Sequence, residues 1–285
     1  MADQTSQLGA LRNRRLGSLI VPREHGAWGL LLVPLATGGA IGVLAGGNEV
    51  PLVALTVAAL ALFWLRTPVE SWLGSGLLRA RTRQERRAAG TAILILAAIV
   101  ALALASLFRE GCNRQLVLLG LVAMSAFVAQ GVLRKLGRHT RMLAQVVGML
   151  GLTVTAPAAY YVVTGQLNGE AWVLWLANFL FAGNQIHFVQ LRIHAAKGSS
   201  YSEKFERGRS FLVGEVLLAA ALLFSWRFHL LPWVASLAFL PLLVRGITWF
   251  FERPKPCVVR KLGWTELAHA VVFAVWLIAG FHLGR

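Results

Sequence analysis

Residues 171–194 read AWVLWLANFLFAGNQIHFVQLRIH, and what this stretch becomes decides the fold. The first half is apolar apart from Asn178 and belongs to a run long enough to cross a hydrocarbon core as a helix. The second half carries Asn184, His187, Gln190 and His194, spaced three, three and four residues apart, so a helix stacks them along one side. Polar groups are expensive to expose to lipid, so this row is expected to turn toward a protein-lined or watered cavity. The rest of the chain can be read as the wall around that cavity.

Composition identifies the wall. With 57% hydrophobic and 14% charged residues, ten Trp in 285 residues and a mean hydropathy of +0.64, the chain reads as a polytopic membrane protein and not as a soluble domain. A formal charge of +16 raises the question of nucleic acid. The basic residues sit in short clusters between apolar runs, however, and no recognition motif accompanies them, so no nucleic-acid partner is expected. Residues 1–20 are polar, carry Arg12, Arg14 and Arg15, and are expected to form a cytoplasmic tail, with residues 21–285 as the transmembrane helical domain.

Nine apolar runs follow, at about 26–46, 50–65, 90–108, 115–133, 142–163, 171–191, 210–226, 230–250 and 263–282. Alternating their connections across a membrane puts 23 of the 28 Lys and Arg residues on one side. Four (Arg109, Arg114, Arg227 and Arg285) fall on the other, and Arg245 lies within the eighth run. That bias predicts an amino terminus inside and a carboxyl terminus outside, and a missed or invented span would have scrambled it. Cys112 and Cys257 then fall on opposite sides and cannot pair within one chain. The longest connections, about 66–89 and 192–209, follow the second and sixth runs on the cytoplasmic side, and long loops are where function tends to sit.

The polar side chains within or beside the runs share one depth. They are Arg23, Glu24 and His25; Arg66 and Glu70; Asn184, His187, Gln190, Arg192 and His194; Glu215; Arg245; and Glu266 with His269. In a bundle, several of these can converge on one cavity near the cytoplasmic surface. Each also has a plainer explanation. An arginine near a helix end snorkels to the interface, Arg66 with Glu70 neutralises helix-end charge, and a lone intramembrane His usually serves helix contacts. Glu266 and His269 give one Glu-x-x-His spacing where di-metal bundles use two, so no metal site is assigned. The chain holds a single Asp, Asp3, and no Walker loop or nucleophile elbow, and its cofactor is left unknown.

Several stretches carry a resemblance. Pro22-Arg23-Glu24-His25-Gly26-Ala27-Trp28 leads into Leu31-Leu32-Val33-Pro34; Arg66-Thr67-Pro68-Val69-Glu70, Gly183 to Ile193, Leu231-Pro232-Trp233 and Lys261 to His269 follow. Together these resemble the YwiC-like family of bacterial membrane proteins from about residue 21 to 282, which implies a multi-pass protein of the bacterial inner membrane. More distantly the layout resembles the UbiA superfamily of intramembrane prenyltransferases, with nine helices, an inside amino terminus and functional loops after helices two and six. The Asp-rich motifs of that superfamily would fall near Arg66–Glu70 and Asn184–His194, and neither region contains an Asp. If the fold is shared, a His, Arg, Glu and amide site replaces the magnesium-diphosphate site.

The reading that follows is an all-α, UbiA-like bundle of about nine transmembrane helices. A cytoplasm-facing cavity would bind or modify an amphiphilic, isoprenoid- or quinone-like membrane lipid. Arg23, Arg66 and Arg192 would hold its anionic or polar head, with Asn184, Gln190, His194 and Glu215 lining the site. A reaction, if there is one, would be a metal-free group transfer with His25, His187 or His269 as acid or base, oriented by Glu70, Glu215 or Glu266. The alternatives are a small-solute transporter and an assembly factor for a membrane complex.

Overall fold

A computed structural model describes residues 15–21, 25–74, 78–112, 114–137, 139–195, 201–253 and 257–284, excluding the side chains of residues 25–27. Regular structure among these residues is entirely helical: α1 His25–Leu44, α2 Val50–Leu73, α3 Arg83–Arg109, α4 Arg114–Lys135, α5 Arg141–Thr153, α6 Thr155–Thr164, α7 Gly169–Ala195, α8 Tyr201–Arg227, α9 Trp233–Ser236, α10 Leu240–Phe251 and α11 Val259–Leu283. A 3₁₀ turn at Leu237–Phe239 joins α9 to α10. Each of the nine apolar runs is therefore helical. Seven of these helices are long and apolar enough to cross a membrane, namely α2, α3, α4, α8, α11, the α5–α6 pair and the stretch from α9 through α10. The apolar part of α1, Trp28–Leu44, is shorter. α7 falls outside the seven because its own polar residues dilute its hydropathy.

Two spans are broken by proline. Pro157 has no N–H to offer the Thr153 carbonyl, which is where α5 gives way to α6. Pro241 lies in the first turn of α10, so the helix restarts after the 3₁₀ turn.

The described chain divides into two compact units. The first contains residues 50–113 and the chain up to residue 25, so α2, α3 and a short helical segment at 15–20 belong to it. Gly74, at φ +69°, ends α2 in the left-handed conformation that glycine adopts without steric cost. Thr82 then opens α3 with a capping box: its hydroxyl accepts from the Glu85 amide at 3.1 Å, and Glu85 Oε2 accepts from the Thr82 amide at 3.1 Å. Arg15 reaches the other Glu85 oxygen at 2.8 Å, and Trp64 donates to the Ile20 carbonyl at 2.9 Å. These contacts tie the 15–20 helical segment to α2 and α3.

The second unit holds residues 26–49 and 114–285. In its core Phe181 of α7 stacks on Phe273 of α11 at 4.1 Å between ring centres, and Phe239 meets Phe273 edge-on at 5.2 Å. Leu174, Leu242 and Leu277 are fully buried around them. α1 docks on α6 through glycine: a Cβ on Gly38 would stand 2.1 Å from the Ala156 carbonyl oxygen, so only a bare backbone fits. Nearby, Asn178 of α7 donates to Thr37 Oγ1 of α1 at 3.0 Å, a buried polar pair that fixes the register of the two helices.

Candidate functional site

The polar end of α7 builds a buried network in the second unit. Asn184 Nδ2 donates to Glu215 Oε1 of α8 at 2.7 Å, and Arg245 Nη2 of α10 donates to Asn184 Oδ1 at 2.8 Å. Arg245 Nη1 forms an ion pair with Glu266 Oε2 of α11, and Gln185 Nε2 donates to the Glu266 carbonyl at 2.9 Å. Four helices are thereby joined through one amide, one guanidinium and two carboxylates. Arg245 also lies over the Phe188 ring at 4.1 Å, which shields its charge with a π face.

Burial is deep. Glu215 is 5% exposed and Glu266 6%; Asn184 lies 11 residues before the end of α7 and Glu215 14 after the start of α8, while Arg245 lies six before the end of α10 and Glu266 seven after the start of α11. Three atoms of this network, Glu215 Oε2, Glu266 Oε1 and Arg245 Nε, are buried without a hydrogen-bond partner. Buried polar groups are rarely left so, and each of these atoms can still take a hydrogen bond from or give one to a small polar group. Gly246 makes room for the Glu215 carboxylate, because a Cβ there would stand 2.6 Å from Glu215 Oε1.

The groove beyond has the opposite character. Ala219, Leu222, Leu223 and Trp226 of α8, Trp233 and Ser236 of α9 and Leu243 of α10 line a cavity of about 580 Å³ that is almost wholly apolar. Glu215, Ala219, Leu222 and Trp226 are four, three and four residues apart, one stripe of α8, so the groove starts one helical turn from the cluster. Along that stripe the 11 residues from Glu215 to Trp226 span roughly 16 Å.

The other residues expected at the site distribute as follows. His187 is half-buried, 3.4 Å from Ser210 Oγ and edge-on to Phe211 at 5.3 Å, so it faces α8 beside the cluster. Gln190 turns to α5, where it bonds Gln145. His194 is exposed, with Nδ1 2.8 Å from the Gln190 carbonyl of its own helix, and Arg192 is half-buried near the same end. His269 is half-buried, with Nδ1 2.7 Å from the Thr265 carbonyl, and does not join Glu266 in the network. Arg66 and Glu70 belong to the first unit, where they pair along α2 at 2.9 Å. Arg23 lies outside the described residues, and His25 is described only as the first residue of α1. No grouping of three or more metal-ligating side chains occurs among the described residues.

Arg245 is the residue to which the sequence assigned no role. Its signal was that it is the lone charge in the eighth apolar run, which calls for a buried partner. Gln185 carries no such signal, since it lies off the Asn184–His194 row.

These helices, apolar outside and joined inside by a buried ionic network, define a multi-pass helical membrane protein. Comparison with known proteins narrows this further. The family described as YwiC-like protein matches residues 21–160, and a Bacillus subtilis (strain 168) protein described as "Uncharacterized protein YwiC" is 23% identical over 264 residues, covering 89% of this chain and 95% of that one. The resemblance to the YwiC-like family read from the motifs is thereby shown. No solved structure matches the chain.

Proposed function

We propose that this protein binds an amphiphilic membrane lipid, with the polar head at Asn184, Glu215, Arg245 and Glu266 and an isoprenoid-like tail along α8. The observation that carries this reading is the adjacency of two unlike surfaces on one helical stripe: a buried spot with open donor and acceptor atoms, and an apolar groove starting one turn away. Head and tail of an amphiphile need that juxtaposition. If the lipid is modified as well as held, His187 is the nearest acid or base, beside the cluster on α7. The UbiA-like architecture, the inner-membrane location and a head site reached from the cytoplasm belong to the same proposal. Native mass spectrometry tests it. The purified protein should carry a stoichiometric lipid, and filling the groove with Leu222→Trp should strip that lipid while the helical content stays unchanged. Equal lipid retention by the filled variant overturns the reading.

The orientation has its own test. Cys257 is half-buried and belongs on the cytoplasmic side; Cys112 is buried on the other, and burial pushes its thiol above the ordinary value, so its thiolate is scarce at neutral pH. An impermeant maleimide should label inverted vesicles through Cys257. Labelling of Cys257 from the outer face would reverse the topology.

A second reading, a small-solute transporter, draws support from the buried charges of the cluster, since ionisable groups inside spans mark solute and ion pathways. Solute uptake into proteoliposomes that Glu215→Gln abolishes would favour it over lipid binding.

A further inference from the structure

The cluster is unbalanced in charge. Glu215 and Glu266 face one guanidinium, that of Arg245, and the Asn184 amide joining them is neutral. The other titratable side chains on the helices packed here are engaged elsewhere or exposed. His187 of α7 meets Ser210, His269 of α11 bonds its own helix, and Glu206 and Arg209 of α8 are exposed. α9 brings no charged residue, and α10 brings only Arg245. One negative charge is therefore left over in a setting that strongly disfavours an uncompensated charge. Two oxygens of the same network are unpartnered, Glu215 Oε2 and Glu266 Oε1, both on side chains more than nine-tenths buried.

We infer that the cluster is a one-cation site, holding a proton on Glu215 when empty and the ammonium head of an amphiphile when the groove is filled. The second half rests on the lipid-binding proposal; the first does not. Glu215 is the seat because Glu266 already has the guanidinium on Oε2, whereas Glu215 accepts only the neutral Asn184 amide on Oε1. An ammonium brings an N–H donor to the open Glu215 Oε2 and one positive charge, and the Glu215 proton leaves to solvent as it binds, so charge is conserved. A phosphate head is disfavoured: it would meet two carboxylates, and both terminal nitrogens of Arg245 are already committed.

Two measurements on the full chain in nanodiscs decide this. Infrared difference spectra of the protein without added amphiphile should show a protonated carboxyl stretch at neutral pH that Glu215→Gln removes and Glu70→Gln leaves in place. A missing band, or one that survives Glu215→Gln, overturns the resting proton. Titration with dodecylamine, dodecanol and dodecyl phosphate, followed by the fluorescence of Trp226 and Trp233 in the groove, tests the head. Dodecylamine should bind about tenfold tighter than the alcohol, with the phosphate weakest. It should release about one proton, seen as buffer-dependent heat, and Glu215→Gln should level amine with alcohol. Saturable binding without a preference for the amine overturns the ammonium head while the tail groove stands. No saturable binding by any of the three overturns the lipid-binding reading and the ammonium half together, and the infrared band still decides the proton.

Discussion

Two arginine–glutamate pairs teach the difference between the two units. Arg66 and Glu70 lie four residues apart on α2, so helix geometry alone brings them together, and their side chains are 13% and 27% exposed. Arg245 and Glu266 come from different helices, are 10% and 7% exposed, and meet only because α10 and α11 pack. The first pair is brought together by one helix. The second is a tertiary link, and removing one partner leaves the other charged and buried.

That contrast sets the order of expected effects. Arg245→Ala should cost about 3–5 kcal/mol of unfolding free energy in mixed micelles, because Glu266 keeps its burial and loses its counter-charge. A loss below about 1 kcal/mol would show that water reaches the cluster and would erase the contrast. Gly38→Ala, also in the second unit, should cost about 1–3 kcal/mol as α1 is pushed off the Ala156 backbone, read by the same unfolding curve. In the first unit, Thr82→Ala should cost about 1 kcal/mol by opening the capping box of α3, and amide exchange should rise at the start of that helix. Smallest of all, Glu70→Gln should change stability by no more than about 1 kcal/mol. A larger effect there would mean that Arg66 and Glu70 serve something beyond their own helix.

Hydropathy made the helices legible, because a hydrocarbon solvent leaves the backbone little choice: each of the nine apolar runs is helical. The charge bias extended this to an expected sidedness for the same reason. Partnership was less legible. Asn184, His187, Gln190 and His194 share a helical row, yet they turn to Glu215, Ser210, Gln145 and their own backbone respectively. The row spans enough of the α7 circumference to meet α8 on one flank and α5 on the other, and spacing along one helix says nothing about which neighbour lies where. Arg245 shows the limit from the other side: a solitary charge in an apolar run announces that a partner exists, but naming Glu266 required the packing of α10 on α11. The breaks at Pro157 and Pro241 stayed hidden for a related reason, since a span interrupted inside a bundle keeps its hydropathy.

The bare α-carbon of Gly246 has a consequence for descent. A methyl group at that point and an acid at position 215 compete for the same volume, so the two positions are free to drift only as a couple. Among relatives of this chain, a side chain appearing at 246 should coincide with a shorter or uncharged residue at 215. The lineages in which that exchange has happened would be those that gave up whatever the buried acid holds.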